Sequence, residues 1–252
     1  VGKDNKVYIA DATNNRIVVC NRYLQYTFEI STFTNNQGVP DALTNPQGVF
    51  VTEDYIYVAD TDNNRIVLFD LEGEYVDTIE EPRSDVFPEN SIYKPIALSV
   101  DAAGRMYIVS STTYMGVISI APDGEFQGFI GAQQVNISAI DILWRRIQAK
   151  EQRETSTQYV STEFNNITID EQGYIYICAT TGTGSKGDTI FKVSSSGTGV
   201  VAQASVSECF GVAILGNGYL AACTYEGMDS KVHILNQADL TPVTVVGYDN
   251  AN

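Results

Sequence analysis

Two acid–base pairs recur at one spacing early in the chain: Asp11 with Arg16, and Asp60 with Arg65. A carboxylate and a guanidinium so placed either present polar groups to a ligand or hold a turn through charge-assisted hydrogen bonds. Recurrence in neighbouring segments favours the structural role. Asn14-Asn15 and Asn63-Asn64, which lie between the pairs, are read as turn residues that tolerate left-handed φ. The single histidine, His233, falls inside the apolar strand pattern KVHIL (231–235) and has no sequence partner for acid–base or metal chemistry. Glu163, Asn165, Asn166 and Glu208 sit near the ends of apolar segments and offer the oxygen donors a hard cation prefers. No spacing ties those four together. A bound divalent cation such as calcium stays open, no other cofactor is expected, and no catalytic residue is assigned.

Other signatures of chemistry are weak. No GxSxG nucleophile motif is present, and TGTGSKGD (181–188) lacks the GxxxxGK[ST] pattern of a phosphate loop. It lies between two strand patterns, where a hairpin turn is the simpler reading. Cys20, Cys178, Cys209 and Cys223 form no CxxC pair; the first, second and fourth stand in apolar strand patterns, so free structural thiols are expected. Of two Asn-x-Ser/Thr sequons, at Asn136 and Asn166, the second falls in an expected strand, which argues against glycosylation there.

The elements that position these residues repeat. VYIADATNNRIVVC (7–20) returns as IYVADTDNNRIVLF (56–69), and looser copies follow at 105–130, 174–203 and 219–246. Each copy reads strand, polar turn, strand, short turn, strand, with Tyr, Val and Ile in the strands and Asn-Asn, Asp-Gly, Glu-Gly or Ser-Gly in the turns. A further apolar strand precedes four of them: GVFV (48–51), IALSV (96–100), NITI (166–169) and GVAI (211–214). Four antiparallel strands repeated every roughly 40–50 residues predict an all-β β-propeller. Five blades are visible, one without its first strand, so either a C-terminal strand closes the ring or the parent has six blades. Residues 1–252 are read as one propeller domain.

The segments YIADATNNRI (8–17) and YVADTDNNRI (57–66), with NPQGV (45–49), resemble the NHL repeat. The resemblance spans nearly the whole chain outside about 136–162 and implies the fold more than an activity, because such propellers include lyases, RNA binders and scaffolds. The lyases of this fold rely on several histidines, which this chain lacks. Lactonase-type propellers hold a cation with Glu, Asn and Asp on inner strands. The chain is also similar to exported NHL-repeat proteins of anaerobic Gram-positive bacteria, which implies an extracellular or cell-surface setting. An export segment upstream of Val1 is expected.

In such a ring the first strands line a central channel. The turns between second and third strands share one face with the crossovers between blades. Those crossovers are long here, about 33–45, 80–94 and 131–163, whereas turns such as LEGE (71–74) on the other face are short. The longest insertion predicts an amphipathic helix within about 136–162, with Ser138 as N-cap and Ile140, Leu143, Trp144 and Ile147 at helical spacing. It carries the only Trp and the basic residues Arg145, Arg146, Lys150 and Arg153. It reads either as a cap packed on sheet edges or as a docking element. Candidate ligand-binding residues are Trp144, Arg145 and Arg146, with Tyr114, Tyr225 and Glu226 from second-to-third-strand turns.

A formal net charge of −16 repels phosphate backbones, so a nucleic-acid partner is not expected. No run of roughly 20 apolar residues predicts a transmembrane segment. The expectation is a non-enzymatic binding or scaffolding propeller that recognises a protein, peptide or glycan through its loop-rich face. The alternative is a cation-dependent lactonase- or lyase-type propeller enzyme.

Overall fold

The computed structural model describes residues 2, 4–82, 87, 92–113, 116–131, 164–183, 187–195, 199–226 and 229–247. Their regular elements are strands and two short 3-10 turns, Ala12–Asn14 and Thr61–Asn63. The helix expected within 136–162 lies outside the described residues.

Blade 1 holds β1 (Val7–Asp11), β2 (Arg16–Cys20) and β3 (Tyr26–Ile30). A small hairpin follows, β4 (Thr32–Thr34) with β5 (Pro40–Ala42), where a plain crossover was expected. Blade 2 is β6 (Pro46–Val51), β7 (Tyr55–Asp60), β8 (Arg65–Asp70) and β9 (Tyr75–Ile79). Blade 3 is β10 (Pro95–Val100), β11 (Met106–Ser110), β12 (Val117–Ile120) and β13 (Phe126–Ile130). Blade 4 is β14 (Phe164–Ile169), β15 (Tyr174–Thr183), β16 (Asp188–Ser194) and β17 (Val200–Ala204). Blade 5 is β18 (Glu208–Gly216), β19 (Tyr219–Glu226), β20 (Asp229–Asn236) and β21 (Pro242–Gly247). All pairings are antiparallel between chain neighbours, the arrangement of a five-bladed propeller.

Each inner strand carries the same irregularity. Pro46 pairs with Asp60 but Gly48 with Ala59, and the shift recurs at Pro95/Ala97, Phe164/Asn166 and Cys209/Gly211. The extra residue at this step (Gln47, Ile96, Asn165, Phe210) bends each strand at the crossover end, as a β-bulge does.

The core is divided among the seams between blades. Tyr8, Ile17 and Val19 of blade 1 bury against Ile56, Val58 and Phe69 of blade 2. Tyr57 and Ile66 of blade 2 meet Leu98, Met106 and Ile118 of blade 3. Tyr107 and Val117 meet Ile167, Ile175 and Phe191 across the third seam, and Tyr176, Cys178 and Ile190 meet Cys209, Val212 and Leu220 across the fourth. Both faces of the middle blades are therefore apolar, and β11 and β12 are buried throughout. On blade 5 the side chains alternate: Cys209 and Val212 are buried, while Phe210 and Leu215 are more than half exposed. Their face carries no buried cluster among the described residues.

Candidate functional site

The Asp/Arg pairs build the turns between second and third strands. In blade 2 the Asp60 carboxylate is fully buried and accepts Arg65 Nε at 2.8 Å, Asn63 Nδ2 at 2.9 Å and the Thr44 amide at 2.7 Å. Arg65 then donates Nη1 and Nη2 to Asp41 on β5, at 2.7 and 2.9 Å. Blade 1 repeats the pattern more openly, with Arg16 Nε on Asp11 at 2.8 Å and Nη1 on Glu29 at 2.7 Å. The structural reading of these pairs thus matches the geometry. The Asn pairs divide their work: Asn15 and Asn64 adopt the left-handed conformation, whereas Asn14 and Asn63 close 3-10 turns and donate to the carboxylates.

These turns also tie each blade to the next. Asn15 Oδ1 accepts the Asn45 amide at the start of blade 2. Thr61 Oγ1 donates to the Pro95 carbonyl at 2.7 Å, and Asp62 pairs with Lys94 at 2.5 Å, both across the second seam.

A channel of about 880 Å³ runs inside the ring, lined by the inner strands and, in blade 1, by Tyr8 and Ala10 of β1. Its walls are largely aliphatic in blades 2 and 3. Polar groups gather at the short-turn mouth of blades 4 and 5, at Asp170, Glu171, Gln172, Asn217 and Gln237. Asp170 is saturated there: it accepts the Gln172 and Tyr174 amides, the Tyr176 hydroxyl at 2.9 Å and Gln237 Nε2 at 3.1 Å. It organises a turn and has no lone pair aimed at a substrate. Lys192, buried beside it, donates to the Gln237 carbonyl at 3.0 Å and lies 4.3 Å from the Tyr174 ring centre.

A tyrosine–aspartate pair recurs from blade to blade, Tyr8 with Asp4, Tyr107 with Asp101 and Tyr176 with Asp170. Sequence reading missed it, although an aspartate four to six residues ahead of a strand tyrosine (DNKVY, DAAGRMY, DEQGYIY) is its signal. Burial, then the hydrogen bond to the carboxylate, raises Tyr107 to about 12. The same causes raise Tyr8, and burial raises Tyr176 against the opposing contact with Gln237.

Of the proposed cation donors, Asn165 Nδ2 donates to the Cys209 carbonyl at 3.0 Å and Asn166 Oδ1 accepts the Val212 amide at 3.4 Å. Both side chains stitch blade 4 to blade 5. Glu208 begins β18 and is exposed; Glu163 lies outside the described residues. Among the described residues no group of three or more His, Cys, Asp or Glu side chains is placed to hold a metal. His233 sits in β20, opposite Ala222 and Val245.

The expected binding residues are only partly brought into view. Trp144, Arg145, Arg146 and Tyr114 lie outside the described residues, as does the Glu226 side chain. Tyr225 and Glu226 stand within β19, paired to Ser230 and Asp229, and not in a turn as expected, because this hairpin keeps its ladder two residues further. Tyr225 is exposed. Cys223, expected to be buried, is exposed as well, since its side of blade 5 meets no other blade among the described residues. Cys20, Cys178 and Cys209 are buried.

The most exposed large apolar side chains lie on the short-turn face, which the loop lengths had made the plainer one. Tyr23, Leu24 and Tyr26, at 71%, 69% and 63% exposure, crowd the turn between β2 and β3, with the Arg22 guanidinium 5.1 Å from the Tyr23 ring centre. The turn closes through Leu24 N on the Asn21 carbonyl, and Leu24 takes a φ of 61°. The corresponding turns of blades 2 and 3 place Gly73 and Gly124 there, at φ 93° and 86°. A leucine in this conformation is strained by about 1 kcal/mol or more, and its side chain gains no burial in return.

No protein-family model and no curated protein matches this chain. Among solved structures, a chain of the "Crystal structure of Nidogen/Laminin Complex" is similar to it, with a TM-score of 0.61 and 13% sequence identity, over 97% of this chain and 78% of that one. The shared feature is the fold. At that identity the likeness carries no residue of a binding site across. No helix among the described residues is long and apolar enough to cross a membrane.

Proposed function

We propose that this protein is a non-enzymatic binding propeller that docks a protein partner, and that the rim turn Arg22–Tyr26 is part of its contact surface. The observation that carries the reading is Leu24: strained backbone and an exposed aliphatic side chain stand where blades 2 and 3 use glycine and where blade 5 places Leu240, equally left-handed but buried. Strain of this kind persists where a side chain is needed for contact, and Tyr and Arg dominate the energetics of protein interfaces. Support also comes from the similar chain, whose structure is of a nidogen/laminin complex. The NHL-type repeat and an exported, extracellular setting belong to the same proposal. So do the binding residues expected from the sequence, Tyr114, Trp144, Arg145, Arg146, Tyr225 and Glu226.

Photo-crosslinking tests it. A benzophenone amino acid replaces Tyr23 in one variant and Tyr225 in another, and adducts are collected from the source cells. A discrete protein adduct from position 23, lost when Leu24→Gly and Tyr26→Ala are added, supports the rim turn. Adducts from position 225 alone move the site to the crossover face, and no adduct from either removes the binding reading.

A further inference from the structure

Cys178 and Cys209 meet across the seam between blades 4 and 5. Cys178 stands on β15 opposite Asn166, and Cys209 opens the bulge of β18, whose backbone is clamped to β14 through Asn165 and Asn166. Both are fully buried in one cluster with Tyr176, Ile190 and Leu220. Their sulfurs are in hydrogen-bond contact, and Cys209 Sγ in turn lies 3.6 Å from the Gly211 carbonyl. Two thiols in contact across a seam meet the first requirement for a bond between them, the proximity of their side chains.

We infer that Cys178 and Cys209 are a modification site, oxidised by a low-molecular-weight disulfide to a bond that staples blade 4 to blade 5. The Cys209 thiolate attacks one sulfur of the small disulfide before the seam closes in folding. The small S–S bond breaks, a mixed disulfide forms, and one small thiolate leaves. Cys178, deprotonated, then attacks Cys209 Sγ; the Sγ–Sγ bond forms and the second small thiolate leaves. The protein gives up two electrons and two protons, and the oxidant departs as two thiols. Such a bond persists in an oxidising compartment, in keeping with the setting proposed above, but it is independent of the binding surface.

The test refolds the whole chain in oxidised and reduced glutathione, then alkylates it with N-ethylmaleimide in denaturant for peptide mapping. The expected result is alkylation of Cys20 and Cys223 only, with one cross-linked peptide joining Cys178 to Cys209. Closing the loop from 178 to 209 raises the melting temperature, so reductant lowers it by roughly 10 °C. The Cys178→Ala/Cys209→Ala variant melts at one temperature with or without reductant. Alkylation of all four cysteines after oxidative refolding, or a bond to Cys20 or Cys223 instead, overturns the inference. The wild-type peptide map decides the matter even if the double variant does not fold.

Discussion

Arg65 grips Asp41 with two parallel hydrogen bonds, at 2.7 and 2.9 Å, while its Nε holds the buried Asp60 at 2.8 Å. One guanidinium thereby fastens the β4–β5 hairpin to blade 2. Arg65→Ala leaves the Asp60 carboxylate buried without its cation, and urea unfolding is expected to show a loss of about 3 kcal/mol. Arg16→Ala, in the open copy of the same motif, is expected to cost much less, because water replaces the lost partner.

The same contact sets a pH dependence. Hydrogen bonds from Arg65, opposed by burial, hold Asp41 below the ordinary carboxylate range. A depressed folded-state value contributes stability that is present above the unfolded value and lost as pH falls through the folded one. Asp41→Asn is therefore expected to be less stable than the parent at neutral pH. The gap in urea midpoint should narrow as pH falls below the ordinary aspartate value; a constant gap would mean that the charge plays no part.

Leu24→Gly separates stability from binding. Relief of the left-handed strain is expected to raise stability, by about 1 kcal/mol or less once the extra freedom of glycine in the unfolded chain is counted. Loss of the exposed side chain is expected to weaken partner capture. A stabilised variant that still captures its partner at full strength would remove Leu24 from the contact surface.

Gly48 and Gly211 occupy the same step of the inner-strand bulge but differ in their neighbours. A Cβ on Gly48 would stand 2.7 Å from the Ile96 carbonyl oxygen and 3.0 Å from the Ala97 Cα, whereas one on Gly211 meets nothing within 4 Å. Gly48→Ala is expected to cost about 1–3 kcal/mol by forcing blades 2 and 3 apart. Gly211→Ala should change the urea midpoint little. Equal losses would contradict the packing across the second seam.

The tyrosines paired with aspartates make stability sensitive to alkali. Burial and the Asp101 bond raise Tyr107 to about 12. A raised folded-state value gives stability present below the ordinary tyrosine value, about 10, and lost as pH rises through the folded one. Ultraviolet titration is expected to show Tyr107, Tyr8 and Tyr176 ionising only with unfolding. Tyr107→Phe should remove part of this alkaline loss at a cost of about 1–2 kcal/mol at neutral pH.

Much of the architecture was legible because it is local. Alternating Tyr, Val and Ile between Asn-Asn and Asp-Gly turns determines antiparallel strands, and a repeat of blade length determines their ring. The Asp60–Arg65 pair was readable as a turn clasp because its partners lie five residues apart. The inner strands were found within three residues of their observed ends.

What the tertiary structure alone decided are relations between blades. Asp41 as the second partner of Arg65, Asn165 on the Cys209 carbonyl and the Cys178–Cys209 contact join residues whose separation follows no repeat spacing. Cys223 shares its strand pattern with Cys178 and was expected to share its burial; only the presence of a neighbouring blade on one side, and its absence among the described residues on the other, separates them. Loop length pointed to the crossover face, while the exposed Tyr23, Leu24 and Tyr26 lie on the opposite one. Exposure depends on what packs against a residue. A strand pattern sets which way a side chain points, and the next blade determines whether anything is there to meet it.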